Sequence, residues 1–196
     1  MLKKEIIWRE ILHQAFSKNN LKFTQKELSE KLGVSISTVH NALILPRQAA
    51  AIIVTGRNFR VADKEKFLLL WATHRQLAKD IIFKARVESQ SVQELEGLMP
   101  PTVMFAAYSA YAREYHAAPA DYDTAYVYLK EEDLSAMKKR FPSSRGEPNV
   151  IGLKSDPHLE RYGYFPPLVQ TFVDLWNLPQ WYAKDFLDDV KKRLNA

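Results

Sequence analysis

Ser37, Thr38, His40 and Asn41 are small or polar, and they fall among the apolar residues Ile36, Val39 and Leu43. Val39 and Leu43 are four apart and Ile36 is three before Val39. On a helix these three make one stripe, and the polar group points elsewhere. Hydroxyl, imidazole and carboxamide groups carry the donors and acceptors that pair with base edges in a DNA major groove. Asparagine matches adenine with one donor and one acceptor. A second pair able to do chemistry is Asp121 and Asp123. A spacing of two on an extended chain sends both carboxylates to one side. That arrangement can hold Mg²⁺ against a triphosphate.

The elements that must position the first group are legible. Residues 24–45 read as two short helices joined at Gly33. Thr24 and Glu27 form a capping box for the first. Leu28 and Leu32 supply its apolar stripe, and Gly33 ends it because a left-handed residue costs glycine nothing. Ser35 caps the second helix, which Pro46 is expected to stop. This is a helix–turn–helix pattern. A helix over residues 4–18 precedes it, with Ile7, Ile11, Leu12 and Ala15 on one side, broken by Asn19-Asn20. An apolar run to Val54, a turn at Thr55-Gly56-Arg57-Asn58 and then Phe59-Arg60-Val61 predict a hairpin. Three helices followed by a hairpin is the order of a winged helix–turn–helix. The helix from Ser35 then reads the major groove, with Ser37, Thr38, His40 and Asn41 as the base-facing set and Ser35 among the DNA-binding residues. Lys22, Lys26, Arg47, Arg57 and Arg60 would hold phosphates, with Arg57, Asn58 and Arg60 at or near the hairpin tip. Asp63 caps a following helix that carries Phe67, Leu70, Trp71, His74 and Leu77 at helical spacing.

Charge supports that division. Residues 1–79 hold 14 Lys/Arg against 6 Asp/Glu, a net of +8, and the rest of the chain nets −3, which together give +5. A basic half around such a motif suits a polyanion, because phosphate neutralisation supplies most non-specific affinity. The 46% of hydrophobic residues suffice for a core. The lack of cysteine excludes disulfides and thiolate sites, and a cytoplasmic location fits. No apolar run approaches a membrane span, and the amphipathic N-terminus is not a signal peptide. His13, His40, His74, His116 and His158 show no ligand spacing, so no metal is expected. No phosphate-binding glycine motif or nucleophile elbow occurs. The many tyrosines and tryptophans are expected in the core or at an interface.

From residue 80 the pattern alternates: β-like at 81–87, a short helix at 91–98 with a Ser91–Glu94 capping box, and a break at Pro100-Pro101. Residues 102–116 read as a helix, or a strand followed by one. A strand at 125–129, a helix at 131–141 ending in Lys138-Lys139-Arg140, and a strand at 150–153 follow. A helix then runs from Pro166-Pro167 to 178, and a last helix opens at Trp181 or Tyr182 with Phe186, Leu187, Val190 and Leu194 inward. The fold class expected is α+β: a winged helix–turn–helix domain over 1–78, then a small α/β domain over 79–196.

Residues 1–75 resemble the winged helix–turn–helix of bacterial and archaeal transcription regulators, which implies DNA binding. The second half is similar in layout to minimal nucleotidyltransferases. Ser109-Ala110-Tyr111-Ala112-Arg113 is followed by Asp121-Tyr122-Asp123 and then a strand. The glycines that let a backbone approach phosphate are absent, since none lies between Gly97 and Gly146. The expectation is therefore a nucleotidyltransferase-like fold without catalysis and without a cofactor. Were the chain active, Asp121 and Asp123 would be its catalytic pair. Phe165-Pro166-Pro167-Leu168-Val169-Gln170 and Phe172-Val173-Asp174-Leu175-Trp176-Asn177-Leu178-Pro179 resemble the end of AbiEi-type antitoxin regulators. That resemblance implies a repressor that binds double-stranded DNA and a toxin partner. The alternatives are an active metal-dependent nucleotidyltransferase and a protein-interaction module tethered to DNA.

Overall fold

The N-terminal helix is the element on which the whole chain closes. The computed structural model describes residues 1–56 and 58–195. Helix α1 (Lys3–Ser17) buries residues 5–12 all round, with Ile7, Trp8, Ile11 and Leu12 fully enclosed. It touches helices from both ends of the sequence. A helix buried on every side can hold charged residues only if they are paired, and Glu5, Arg9 and Glu10 all are.

The chain leaves α1 through Asn19, at φ +50°, and forms strand β1 (Lys22–Thr24), which periodicity did not reveal. Three residues are too short for a pattern of two to stand out. What holds the strand is its partner: Phe23 faces Phe59 across the ladder and stacks on it at 5.5 Å. Helix α2 (Gln25–Leu32) carries the expected box. Thr24 Oγ1 accepts from the Glu27 amide at 3.1 Å, and Glu27 Oε2 accepts from the Thr24 amide at 3.1 Å. Gly33 closes it at φ +61°. Helix α3 (Ile36–Gln48) opens under the Ser35 hydroxyl, which accepts from the Thr38 amide.

Two expectations about α3 need correction. Pro46 does not stop the helix but lies inside it, and the last turn continues to Gln48. A proline withholds the amide hydrogen that the Ala42 carbonyl would take. Here Trp8 Nε1 donates to that carbonyl at 2.7 Å instead, so continuing the helix leaves no buried orphan. Ile36, counted in the inward stripe, is 53% exposed; Val39, Ala42 and Leu43 are the buried face. Strands β2 (Ile52–Thr55) and β3 (Asn58–Val61) then form an antiparallel hairpin. Among the described residues they make a three-stranded sheet with β1 in the order β1-β3-β2.

Helix α4 (Lys64–His74), capped by Asp63, leads through a 3₁₀ turn to the second sheet. Strand β4 (Ile81–Ala85) is shorter than the β-like run because the Asn149 side chain brackets Val87, accepting its amide and donating to its carbonyl at 2.9 Å each. Helix α5 (Val92–Gly97) has its Ser91 cap, but Glu94 reaches the Gln90 amide, so the reciprocal arm lands one residue early. Strand β5 (Met104–Phe105), helix α6 (Ala107–Tyr115), strand β6 (Ala125–Leu129), helix α7 (Leu134–Arg140) and strand β7 (Val150–Lys154) follow. The sheet order is β4-β7-β6-β5, with β6 and β7 parallel and the outer pairs antiparallel. Gly152 sits where β7 is squeezed between Leu129 and Phe83; a side chain there would collide with both. Helices α8 (Leu168–Trp176) and α9 (Ala183–Asn195) pack together, and α8 also meets α1, α4 and α6. Helix α9 begins at Ala183, two residues later than Trp181, which stays in an exposed turn.

One hydrophobic cluster runs through both sheets, and a buried polar network crosses it. Arg9 binds Asp156 through two 2.7 Å contacts and Gln170 at 2.8 Å. Gln170 donates to the Tyr128 hydroxyl, which donates to Asp174, which accepts from Arg75 Nε at 3.4 Å. Arg75 also pairs with Asp80 and Glu5. No helix among the described residues is long and apolar enough to cross a membrane.

Candidate nucleic-acid interface

The outer surface of α3 faces a groove that runs to the β2–β3 turn. The groove encloses about 570 Å³ and is lined by Gln25, His40, Ile44, Arg47, Gln48 and Gly56, among others. A second hollow of about 510 Å³ continues past Thr24, Gln25, Lys26, Ile36 and Asn58. The start of α2, the exposed side of α3 and the hairpin turn therefore share one surface.

The expected base-facing residues lie on it. Ser35, Ser37, His40 and Asn41 are exposed and Thr38 is half-buried. Ser35 is occupied, because its hydroxyl caps α3 and is shared with Ser37 at 2.9 Å and Thr38 at 2.8 Å. Two residues outside the expected set stand beside Asn41: Gln48, exposed, and Ile44, 43% exposed. At 3.6 residues per turn, Ser37, Asn41, Ile44 and Gln48 fall within an arc of roughly 60°. The spacing 37, 41, 44, 48 is in the sequence, but ending the helix at Pro46 removes Gln48 from it. Gln25, at the first turn of α2, lines both hollows and was also missed.

Of the expected phosphate ligands, Arg47 lines the first hollow, Lys26 the second, and Lys22 and Arg60 a third that shares Thr24 and Asn58 with the second. Lys22, Lys26, Arg47 and Arg60 are exposed; Arg57 lies outside the described residues. Lys26 pairs with Glu30 at 3.8 Å, an exposed contact of little weight. Among the described residues, Lys22, Arg47 and Arg60 enter no ion pair. Lys22 and Arg60 are direct partners in the β1–β3 register, so two like charges stand side by side on the outer face. Such a pair is unfavourable in the free protein and relaxed by an anion. Glu27 shares that hollow with them, and one of its oxygens is taken by the Thr24 amide. Asn58 is exposed at the start of β3, opposite Thr24 and Thr55.

The helix pair is braced from the far half of the chain, which sequence periodicity could not show. Arg161 Nη1 donates to the Lys31 carbonyl at 2.6 Å, at the end of α2. Lys31 pairs with Glu10 at 2.6 Å, and Glu10 accepts from the Tyr162 hydroxyl at 2.7 Å. Burial pushes Glu10 up, but Lys31, Tyr162 and Gln14 outweigh it and hold the carboxylate below its usual range.

The second candidate pair sits elsewhere. Asp121 and Asp123 are both exposed, with Tyr122 buried between them, in the irregular segment just before β6. Asp123 Oδ1 accepts from Tyr182 at 2.7 Å and Thr124 at 2.8 Å. Burial, and then the contact with Asp123, raises the Tyr182 phenol above its ordinary value. Ser109 is buried and accepts from the Tyr126 amide at 3.1 Å. Arg113 lies over the Phe105 ring and pairs with Glu96 at 3.5 Å. Among the described residues no group of three or more His, Cys, Asp or Glu is arranged to hold a metal ion. Compared with protein-family models, curated proteins and solved structures, the chain matches none.

Proposed function

We propose that this protein is a sequence-specific DNA-binding transcription regulator whose first half works as a winged helix–turn–helix. Helix α3 enters the major groove, and the β2–β3 hairpin is the wing. The observation that carries this reading is a polar, solvent-facing stripe on α3 flanked by Lys22, Arg47 and Arg60, cations without a carboxylate partner among the described residues. Fluorescence anisotropy of the full chain with a mixed-sequence duplex, over graded salt, tests it. Log affinity should fall linearly with log salt; no binding at low salt removes the reading.

A second role, as the antitoxin of a toxin–antitoxin pair, would use a protein-binding face, for which Tyr164, 92% exposed, and Trp181, 79% exposed, are the candidate anchors. Large aromatics in solvent favour a protein partner. Co-expression with a nucleotidyltransferase encoded beside this gene should yield a complex that Trp181→Ala weakens. Independent purification of the two chains would set the role aside.

A further inference from the structure

We infer that the α3 face selects A·T-rich duplex, taking adenine through the carboxamides of Asn41 and Gln48 and the thymine 5-methyl group through Ile44. This rests on the DNA-binding reading and adds the base composition it implies. The central stripe, Ser37, Asn41, Ile44 and Gln48, is neutral along its whole length. Guanine is most often taken by Arg or Lys, and cytosine is read by an acceptor carboxylate. Helix α3 has no acid, and its one cation, Arg47, lies off the stripe toward the phosphates, by roughly 60° from its edge on a 3.6-residue turn. His40 stands between Arg47 and the stripe. Asn and Gln each present one donor and one acceptor in the spacing of adenine N7 and N6.

Ile44 is the second, independent mark. A branched aliphatic at 43% exposure stands at the edge of the polar stripe, on the wall of the groove. Thymine is the base with a methyl group in the major groove. The charge around the surface fixes the occupant as a polyanion and not an apolar protein face. Gln25 at the start of α2 borders the same groove and adds another amide.

The test uses the full chain and a random duplex library, followed by base analogues in the selected duplex. Selected sequences should be rich in A·T steps. Replacing thymine by deoxyuridine should weaken the wild type about fourfold per contacted methyl and leave Ile44→Ala unaffected. Replacing adenine by 7-deazaadenine should weaken the wild type and not Asn41→Ala at the matching position. The analogue arms with wild-type protein need no variant to fold. Tight binding to G·C-rich selected sites, equal binding to all duplexes, or wild-type indifference to deoxyuridine overturns the inference while leaving DNA binding intact. Failure to bind any duplex at low salt overturns the DNA reading and this one together.

Discussion

Trp8 donates its indole hydrogen to the Ala42 carbonyl at 2.7 Å, the carbonyl that Pro46 leaves without its helical donor. A side chain of α1 thus completes the backbone of α3 and fixes how the two helices meet. Trp8→Phe should cost about 1–3 kcal/mol, the penalty of a buried acceptor left unpaired, with further loss from the smaller ring. In a Pro46→Ala background the new amide takes over the carbonyl, so the same Trp8→Phe change should cost less. A double-mutant cycle in urea reads the difference.

Arg9 and Asp156 form a two-point ion pair with side chains 0% and 7% exposed. Asp156→Asn keeps the shape and strands the guanidinium, so about 3–5 kcal/mol should be lost. Replacing both at once, Arg9→Met with Asp156→Leu, should recover part of it, because neither charge of the pair is left buried alone. Equilibrium unfolding of the three variants tests the order.

Acid should unfold the protein in a stated direction. Burial raises Asp156, Glu10 and Asp80, but Arg9, Lys31, and the terminal ammonium with Arg75 outweigh it in turn, and all three carboxylates sit below their usual range. Folded values below unfolded ones give stability that is complete above about pH 5 and lost as pH falls through the depressed values. Asp174 and Glu114, raised by burial, act oppositely, losing stability as pH rises through theirs. Melting temperature should therefore drop between about pH 5 and pH 3, and Asp156→Asn should flatten that drop.

The proposed phosphate ligands and base readers should separate by their salt behaviour. Lys22→Ala, Arg47→Ala, Arg60→Ala and Arg57→Ala should each weaken every duplex alike and lower the salt slope by about one. Asn41→Ala should keep the slope and relax sequence preference, at about 1–3 kcal/mol on a selected site. Anisotropy titrations at several salt concentrations distinguish the two classes.

Asp121→Asn with Asp123→Asn should leave duplex affinity unchanged, since both residues lie just before β6 and not on the α3 groove. A matching loss of DNA binding would mean that the two halves act on one ligand.

The local signals were the readable ones. Thr24, Gly33, Ser35 and Asp63 act within three or four residues of themselves, and each sits where its chemistry places it. The exposed polar side of α3 was legible for the same reason, as far as Asn41. Gln48 escaped because Pro46 reads as a stop, and only Trp8, 34 residues before Ala42, removes that stop; Ile44 escaped because an aliphatic residue reads as core and not as part of a polar face. Strand β1 escaped because its evidence is Phe59, far along the chain. Charged residues inside α1 gave no sign of their partners, which lie up to 161 residues away.

Arg9 and Arg75 have their principal acceptors beyond residue 79, at Asp156, Gln170, Asp80 and Asp174. The first half of the chain is therefore not portable. Grafted onto another protein it would carry Arg9 without Asp156 and Gln170, and Arg75 with Glu5 alone, in its interior, together with the apolar sides of α1 and α4. Heat should melt the intact chain in a single transition, and any partner that loosens α8 would be felt at α3 through α1.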